Sequence, residues 1–346
     1  MRVLHLVNTL SHPNGIVNVV VDLSITQVIQ GDDVVVASAG GHYAAFLEAR
    51  GVHVESIAVG DRSPQGVVRS VWQARRLVLS FRPDVIHAHT VTAVLVARLL
   101  FAGVPIIATV HNEWQRSSYL MRFADRAVGV SQAVTKAMIA RGVPADRLRT
   151  VCNATVGSPR EPADIVPKEL SHPAVVFVGA LTLMKGIDIL VEAFAKVHQR
   201  LPEAHLYLVG NNDLPLTDDA VSALGIDGVV HIMGAQDPYP YYAAADLFVL
   251  PSRAEAAGLA LLEAMGMGVA SVGSRVGGMA DFLDEEGGGL TFPSEDVQAL
   301  ADLIVRCLTD ERLRADLSRR AREVAQQHTV ETLARQYRDV YEELLR

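Results

Sequence analysis

Glu255 and Glu263 are the residues of this sequence best placed to do chemistry, and they lie eight positions apart on either side of Gly258. Carboxylates accept hydrogen bonds from sugar hydroxyl groups. They cannot hold a phosphate, whereas the N-terminus of a helix can, because its first N–H groups have no intrahelical partner and its dipole is positive there. A helix that begins between the two glutamates would therefore make a site for a phosphate with a sugar at each end.

The residues around this pair predict a strand, a turn and a helix. The apolar run at residues 246–250 is short and followed by Pro251, which is typical of a buried strand in a parallel sheet. Apolar residues recur at helical spacing from Leu259 onward, so we expect a helix from near Gly258 to about Met267. The first glutamate then lies in the loop and the second lies in the helix.

Short apolar strands alternate with helical segments along the rest of the chain. This alternation predicts an α/β fold with parallel sheets covered on both faces, and two sets of strands predict two doubly wound domains. The expected strands are residues 3–7, 34–37, 85–88, 106–110, 127–130 and 148–152 in the first set, and 174–178, 206–209, 229–233, 247–250 and 269–272 in the second.

A cluster of proline and charged residues at 157–173 separates the two sets. Such a segment cannot continue either sheet. We therefore expect an N-terminal domain at residues 1–157, a linker at 158–173 and a C-terminal domain at 174–329.

Three motifs together resemble glycosyltransferase family 4, whose members are retaining enzymes of the GT-B fold. The glutamate pair, with VGSRVGGMADFL after it, resembles the nucleotide-sugar site of that family. FVGALTLMKGIDILVEAF resembles its Gly-Arg-Leu…Lys-Gly segment, and HNEW resembles the segment of its N-terminal histidine. The resemblance covers nearly the whole chain. It implies two Rossmann-like domains facing across a cleft, with the last helix, about residues 330–346, crossing back to the first domain.

The resemblance also implies a role for each site residue. It places Glu263 against the ribose hydroxyls of the nucleotide, Glu255 against hydroxyls of the transferred sugar, and Lys185 against the pyrophosphate. It places His111 against the donor sugar, near the reacting carbon. The expected catalytic residues are His111 and Glu255, and the expected donor-binding residues are Gly15, Lys185, Glu255, Ala257, Gly258, Leu259 and Glu263.

For four residues of the first domain, the surrounding sequence also indicates where they lie and what they do. His111 follows the predicted strand IIATV, so its ring should project from the carboxyl edge of the sheet, where ligands bind. Gly15 follows the loop after the first strand, and a residue without a Cβ permits close approach to a phosphate. A plain turn glycine is the alternative there. His87 and His89, in DVIHAHT, lie at another strand end and are interpreted as structural.

The expected reaction is transfer of a sugar from a nucleoside-diphosphate donor, of the UDP or GDP type, to the hydroxyl of a small-molecule, glycan or lipid-linked acceptor. The resemblance implies attack on the same face, with the leaving phosphate taking the acceptor proton. Neither a cofactor nor a metal is expected, because nothing resembles an Asp-x-Asp site: Asp32-Asp33 and Asp218-Asp219 are adjacent pairs in predicted polar turns. Closure about the linker would bring His111 to Glu255.

Ala180 departs from the family pattern, which usually has an arginine beside the lysine to clamp the pyrophosphate. Another arginine could fill the place, the phosphate could be held more loosely, or activity could be lost. We favour the first, with another arginine such as Arg253 in that place, so that Ala180→Arg would bring little gain in donor affinity.

Composition narrows the class of protein. The net charge of -8 argues against a nucleic-acid binder. Cys152 and Cys307 lie far apart without metal-ligand spacing, which fits a reducing compartment. The apolar stretch at the N-terminus is too short for a secretion signal and no run is long enough to span a bilayer, so a cytoplasmic location is expected.

Two alternatives in function stay open. A nucleotide-sugar epimerase of the same fold would use similar residues, and a non-catalytic nucleotide-sugar-binding protein would show similar domains. Incubation with the donor alone separates them, because epimerisation needs no acceptor and a transferase shows only slow hydrolysis.

The segment at residues 67–82 combines Trp72 with four arginines and could give weak peripheral contact with an anionic membrane. A helix packed on the core with a solvated basic face is the favoured interpretation.

Overall fold

The computed structural model of the protein describes residues 1–11, 14–61, 63–112, 114–212 and 218–346, without the side chains of residues 218–220. The described chain divides into two compact units. Unit 1 comprises Met1–Arg160 and Thr329–Arg346, and unit 2 comprises Glu161–His328.

Unit 1 is built on a sheet of parallel strands. These strands are β1 (Arg2–Leu6), β2 (Asp33–Ser38), β3 (His53–Ser56), β4 (Val85–Ala88), β5 (Ile106–Val110), β6 (Arg126–Gly129) and β7 (Leu148–Thr150). Among the described residues the order across the sheet is β3-β2-β1-β4-β5-β6-β7. Every residue of β4 and β5 is buried, which explains why their sequences are almost continuously apolar.

Polar side chains fix where the longer helices of unit 1 begin. Asn14, Ser63, Thr90 and Ser131 each accept a hydrogen bond from a backbone N–H three residues ahead. The helices are α1 (Gly15–Ile29), α2 (Ala44–Glu48), α3 (Pro64–Phe81), α4 (Val91–Leu99) and α5 (Gln132–Ala140), with 3-10 helices at Arg116–Phe123 and Ala145–Arg147.

Unit 2 has the same kind of architecture. Its strands are β8 (Ala174–Val178), β9 (His205–Val209), β10 (Val230–Gly234), β11 (Leu247–Leu250), β12 (Ser271–Ser274) and β13 (Leu290–Phe292). Its helices are α6 (Ile187–Arg200), α7 (Asp218–Ala223), α8 (Tyr239–Ala244), α9 (Leu259–Gly266), α10 (Gly277–Ala280), α11 (Val297–Thr309) and α12 (Glu311–Ala325), with a π-helical turn at Asp281–Glu285. The strands are parallel, in the order β10-β9-β8-β11-β12-β13.

Both sheets are doubly wound, as the sequence predicts. The strand order reverses between β1 and β4 in unit 1 and between β8 and β11 in unit 2. Ligands of such sheets bind outside the carboxyl ends of the strands beside the reversal. The functional site is therefore expected in the loops that follow these strands.

The last helix, α13 (Val330–Leu345), packs on the core of unit 1. Tyr337 and Tyr341 are fully buried there in one cluster with Val3 and Val85. Their hydroxyl groups do not go unsatisfied, since Tyr337 bonds Thr109 at 2.8 Å. The helix thus brings polar atoms as well as apolar surface into the unit.

Unit 1 extends three residues into the predicted linker because of a buried carboxylate. Asp22 is 1% exposed, and a buried charge is costly unless it is paired. It accepts a hydrogen bond of 2.8 Å from Ser158 and two from Arg160, at 2.9 and 2.8 Å. These bonds hold residues 158–160 on α1.

Helix α3 agrees with the favoured interpretation of a core-packed helix with a solvated basic face on one side only. It buries small residues, such as Ser70 and Ala74, and exposes large apolar ones, with Val68 70%, Trp72 57% and Leu79 67% exposed. Val78 is buried as well, so one face of α3 packs on the unit while several of its large apolar side chains stay at the surface. In the described part of the chain, no helix combines the length and the apolar character needed to cross a membrane.

Candidate active site

The predicted strand, turn and helix around the two glutamates are present in unit 2. Strand β11 ends at Leu250, and α9 begins at Leu259 after Gly258, whose φ of 76° lies in the left-handed region. Glu255 lies in the connecting loop and Glu263 lies in the helix. The N-terminus of α9 therefore opens at the carboxyl end of a strand beside the reversal of strand order, which is where an anion would bind.

Glu263 is a buried residue and not a solvent-facing one. It is 8% exposed and accepts a hydrogen bond of 3.1 Å from the hydroxyl of Tyr242, which is itself 1% exposed. Taking a carboxylate out of water is costly unless donors surround it. A buried carboxylate inside the first turns of a helix is more typical of a binding site than of a surface helix.

Glu255 and Lys185 form an ion pair, although 70 residues separate them in sequence. The side chain of Lys185 is 28% exposed and that of Glu255 is 13% exposed, so the pair is partly shielded from solvent. Ser252 donates a weaker hydrogen bond of 3.4 Å to the same carboxylate oxygen. The structure thus joins two residues that the sequence analysis assigned to different parts of a donor.

Two glycines allow these segments to meet. Gly186 follows Lys185 with a φ of 70°, and a Cβ there would lie 2.0 Å from the carbonyl oxygen of Pro251. Gly277 has a φ of 48°, and a Cβ there would lie 1.8 Å from the carbonyl oxygen of Glu255. No other residue fits either position without moving the backbone. The lysine segment and the segment after β12 are therefore both built against the glutamate loop.

Arg253 does not fill the place left by Ala180, so that expectation is wrong. Its guanidinium makes two hydrogen bonds of 2.7 Å to Asp188 and two, of 2.5 and 3.0 Å, to Glu295. It also donates to the carbonyl of Leu183. All of its nitrogens are engaged, because two carboxylates from other segments lie within reach. These bonds also hold the pKa of Asp188 below its usual range.

His111 lies directly after β5 in unit 1, at the carboxyl edge of the sheet, as the strand pattern predicts. Its ring is partly exposed, and Nε2 lies 3.1 Å from Nδ1 of His89. Burial lowers the pKa of His111 to about 3, so the ring is neutral at physiological pH. Within the same motif, Glu113 lies outside the described residues.

His87 and His89 belong to a buried polar cluster that also contains His5, which the sequence analysis did not select. His5 is on β1 and bonds His89 at 2.9 Å and Gln27 at 2.8 Å. A single histidine inside an apolar strand carries little signal in the sequence. The ring of His5 is explained only by its partners, which lie directly after β4 and in α1.

Gly15 is the exposed first residue of α1, and Asn14 caps the helix through a 3.1 Å bond to the backbone N–H of Val17. Residues 12 and 13 of the preceding loop lie outside the described residues. The role of Gly15 toward a phosphate stays a prediction.

The two aspartate pairs were expected in polar turns, and of these residues only Asp32 lies in such a connection, between α1 and β2. Asp32 is buried and pairs with the N-terminal amine at 2.6 Å and with Arg338 at 2.8 Å, and Asp33 begins β2. Asp218 and Asp219 begin α7, and their side chains are outside the described part of the structure.

Comparison with known proteins covers both units. Residues 172–310 match Glycosyl transferases group 1, and residues 13–155 match Glycosyltransferase Family 4. The D-inositol 3-phosphate glycosyltransferase of Saccharomonospora viridis is 30% identical over 303 residues, 76% of this chain and 70% of the relative. The sulfoquinovosyl transferase SQD2 of Arabidopsis thaliana is 28% identical over 340 residues, 86% of this chain and 64% of the relative.

Solved structures agree on the fold. The crystal structure of Anabaena HepE in complex with UDP and glucose superposes with a TM-score of 0.83 at 21% identity, covering 99% of this chain and 100% of that one. The same protein is also known in complex with UDP-glucose, with a TM-score of 0.83 and 22% identity over the same shares of the two chains. The expected GT-B fold is thereby confirmed. The matches in sequence show that the chain belongs to glycosyltransferase family 4.

Proposed function

We propose that this protein transfers a sugar from a nucleoside-diphosphate donor, of the UDP or GDP type, to an acceptor hydroxyl, with retention of anomeric configuration and without a metal ion. The observation that carries this proposal is the ion pair of Lys185 and Glu255 beside the N-terminus of α9. It places a cation, an oriented carboxylate and a helix dipole at the carboxyl ends of β8 and β11.

Each part of the donor would contact the groups whose charge suits it. The backbone at Ala257, Gly258 and Leu259 and the ammonium of Lys185 would hold the diphosphate. Glu263 would accept hydrogen bonds from the ribose hydroxyls. A bound diphosphate would draw the lysine from Glu255, whose carboxylate would then accept hydroxyls of the transferred sugar. HepE binds UDP and UDP-glucose, which supports a nucleotide-sugar donor and makes UDP-sugars the first donors to test.

The proposed chemistry needs no covalent intermediate on the protein. The bond from the anomeric carbon to the phosphate oxygen breaks, and the acceptor oxygen forms its bond to that carbon on the same face. The acceptor proton passes to the departing phosphate. Lys185 and the dipole of α9 would stabilise the negative charge that develops there. Neutral His111 would bond a hydroxyl of the donor sugar and so orient it.

Incubation with a panel of UDP- and GDP-sugars, without an acceptor, tests the class of reaction. We expect slow release of the nucleoside diphosphate from one donor, and we expect Lys185→Ala to reduce this release. The matched control is Lys196→Ala in α6, outside the proposed site. An epimeric nucleotide sugar without nucleotide release would show an epimerase, and donor binding without turnover would show a binding protein.

A further inference from the structure

A continuous chain of hydrogen bonds leads from His111 into the core of unit 1. His111 Nε2 lies 3.1 Å from His89 Nδ1, and His89 Nε2 lies 2.9 Å from His5 Nδ1. His5 Nε2 lies 2.8 Å from the amide oxygen of Gln27. His5, His89 and Gln27 are each at most 1% exposed, so water does not compete for the bonds among these three residues.

The amide of Gln27 sets the direction of the chain. Its oxygen faces His5, and its nitrogen donates to the hydroxyl of Tyr341 at 3.1 Å. An amide oxygen only accepts, so the proton on His5 is on Nε2. A neutral imidazole carries one proton, so His5 Nδ1 accepts from His89 Nε2, and His89 Nδ1 accepts from His111 Nε2.

A second branch of hydrogen bonds continues from that amide. Since Tyr341 accepts from Gln27, its own proton goes to His87 Nδ1, 2.8 Å away. His87 Nε2 then donates to Thr109 at 2.6 Å, and Thr109 bonds Tyr337 at 2.8 Å. Two tyrosines of α13 therefore anchor a network that ends at the sheet edge.

The three hydrogen-bonded histidines, His5, His89 and His111, are neutral because removal from water disfavours the charged ring. Burial lowers the pKa of His5 to about 4 and that of His111 to about 3, and the pKa of His89 is also well below its usual value. A charged ring would need both nitrogens as donors, which the chain does not allow.

A metal site is a weaker interpretation of this cluster. His5, His87 and His89 offer ligand atoms within 4.8 Å of one another. Every ring nitrogen of the three is nevertheless already in a hydrogen bond with a protein group. A bound cation would break several of these bonds and add charge to a fully buried cluster.

We propose that Gln27, through His5 and His89, holds His111 in the tautomer with its proton on Nε2, so that Nδ1 accepts a hydrogen bond from a hydroxyl of the substrate. Gln27, His5 and His89 are thus positioning residues. This inference rests on the proposed function, in which His111 faces the donor sugar.

The test is the ¹⁵N spectrum of the protein labelled on histidine, with His111 assigned by His111→Asn. We expect a protonated Nε2 and a bare Nδ1 in the wild type. Gln27→Met fills the same space without an acceptor, so the signal of His111 should become a mixture of tautomers. Gln27→Glu, which restores an acceptor for His5, should restore the wild-type signal.

Donor turnover is measured on the same variants. In Gln27→Met we expect kcat to fall roughly tenfold or more with little change in KM. The donor would still bind, but His111 would no longer be held with Nδ1 ready to accept the hydrogen bond that orients the bound sugar. A wild-type His111 with its proton on Nδ1, a spectrum unchanged by Gln27→Met, or unchanged kcat despite mixed tautomers would overturn the proposal. So would stoichiometric zinc binding that shifts His5 and His89. If the wild type turns over no donor, the proposed function fails while the spectrum still decides the tautomer.

A separate observation concerns the exposed face of α3. Val68, Trp72 and Leu79 are more than half exposed, as is Phe101 just after α4, at 84%. Arg75 links the two helices by donating to the carbonyl of Leu100 at 3.1 Å. Val68, Trp72 and Leu79 share one face of α3 by their helical spacing, and an exposed apolar face of this kind marks an interaction site.

The positive charge around this surface indicates which kind of partner covers it. Helix α3 carries Arg69, Arg75 and Arg76 and no acidic residue, although the whole chain has a net charge of -8. The guanidinium of Arg76 lies over the ring of Trp72, 4.8 Å from its centre. Apolar side chains with arginines around them suit the boundary between acyl chains and anionic headgroups. We infer that this face of α3 docks on an anionic lipid bilayer.

Vesicle sedimentation tests the inference. The protein should bind vesicles that contain phosphatidylglycerol and not vesicles of phosphatidylcholine alone, and high salt should release it. Trp72→Ser should weaken binding at least tenfold, whereas Trp114→Phe, the control, should not. Equal binding to both vesicles, no binding, or a dimer of this chain that Trp72→Ser dissociates would contradict it.

Discussion

Glu255 and Glu263 lie close in sequence, yet their surroundings differ. Glu263 is buried against Tyr242, whereas Glu255 keeps some exposure and is paired with Lys185. A carboxylate that the protein has already desolvated suits a part of the ligand that is bound and released unchanged. A carboxylate held by a movable lysine suits the part that reacts.

We expect Glu263→Ala to weaken the binding of free nucleoside diphosphate, because each hydrogen bond to a charged group is worth about 1.5–3 kcal/mol. Glu255→Ala should mainly slow transfer. Calorimetric titration of both variants decides it, with Glu311→Gln, an exposed position in α12, as the control. Equal losses of affinity in the two variants would refute the division of roles.

The finding that Arg253 is engaged reverses the expectation for Ala180. Arg253 does not replace the family arginine. An arginine introduced by Ala180→Arg should therefore make additional charge-assisted hydrogen bonds to the diphosphate. We expect donor affinity to rise up to about tenfold, roughly 1.4 kcal/mol. An unchanged dissociation constant in calorimetry would show that another group already fills the place.

The contacts of these residues could not be read from the sequence. The bonds of Arg253 involve Asp188 and Glu295, from segments 65 and 42 residues away. Local patterns locate a residue on a helix or loop, and they leave its distant partners unspecified. The sequence therefore predicted that Lys185 and Glu255 lie near one another, but it did not predict their ion pair.

Among the elements, the interior strands and α9 were the most predictable. Strands β4, β5, β8 and β11 have the predicted bounds, because a strand buried on both faces is apolar throughout. Strands β3 and β13 were missed. Both lie at edges of their sheets and are short, and β3 reads His-Val-Glu-Ser, so neither shows a buried apolar run.

The close approach of the segment after β12 to the glutamate loop gives a prediction for that element. Gly277→Ala should lower stability and also weaken nucleotide binding, because its Cβ would displace the backbone at Glu255. Gly287→Ala is the matched control, with a φ of 75° but nothing within 4 Å of an added Cβ. It should cost about 1–2 kcal/mol in unfolding free energy and leave binding intact. Equal effects on binding would contradict the packing argument.

For the whole molecule, buried neutral histidines imply acid sensitivity. The unfolded chain takes up protons near pH 6.5, whereas His5 in the folded protein titrates at about 4 and His111 at about 3. Stability should therefore fall as the pH drops from about 6.5 toward 4, by up to about 1.4 kcal/mol per pH unit for each such histidine. Urea unfolding at several pH values measures this.

The control for the pH series is a pair of histidine variants. His5→Gln removes one buried ring and should reduce the slope of stability against pH. His42→Gln changes an exposed side chain and should leave the slope as it is. A wild-type slope that is flat between pH 6.5 and 4 would show that these rings titrate normally in the folded protein.

The central claim, retaining transfer without a metal, is tested most directly by the configuration of the sugar that the enzyme releases. The protein is incubated with an α-linked UDP-sugar, or the donor found active, in excess EDTA, and the first product is followed by proton NMR before it mutarotates. We predict that hydrolysis proceeds in EDTA and that the α anomer appears first. Initial release of the β anomer, or activity that EDTA abolishes and magnesium or manganese restores, would contradict the account.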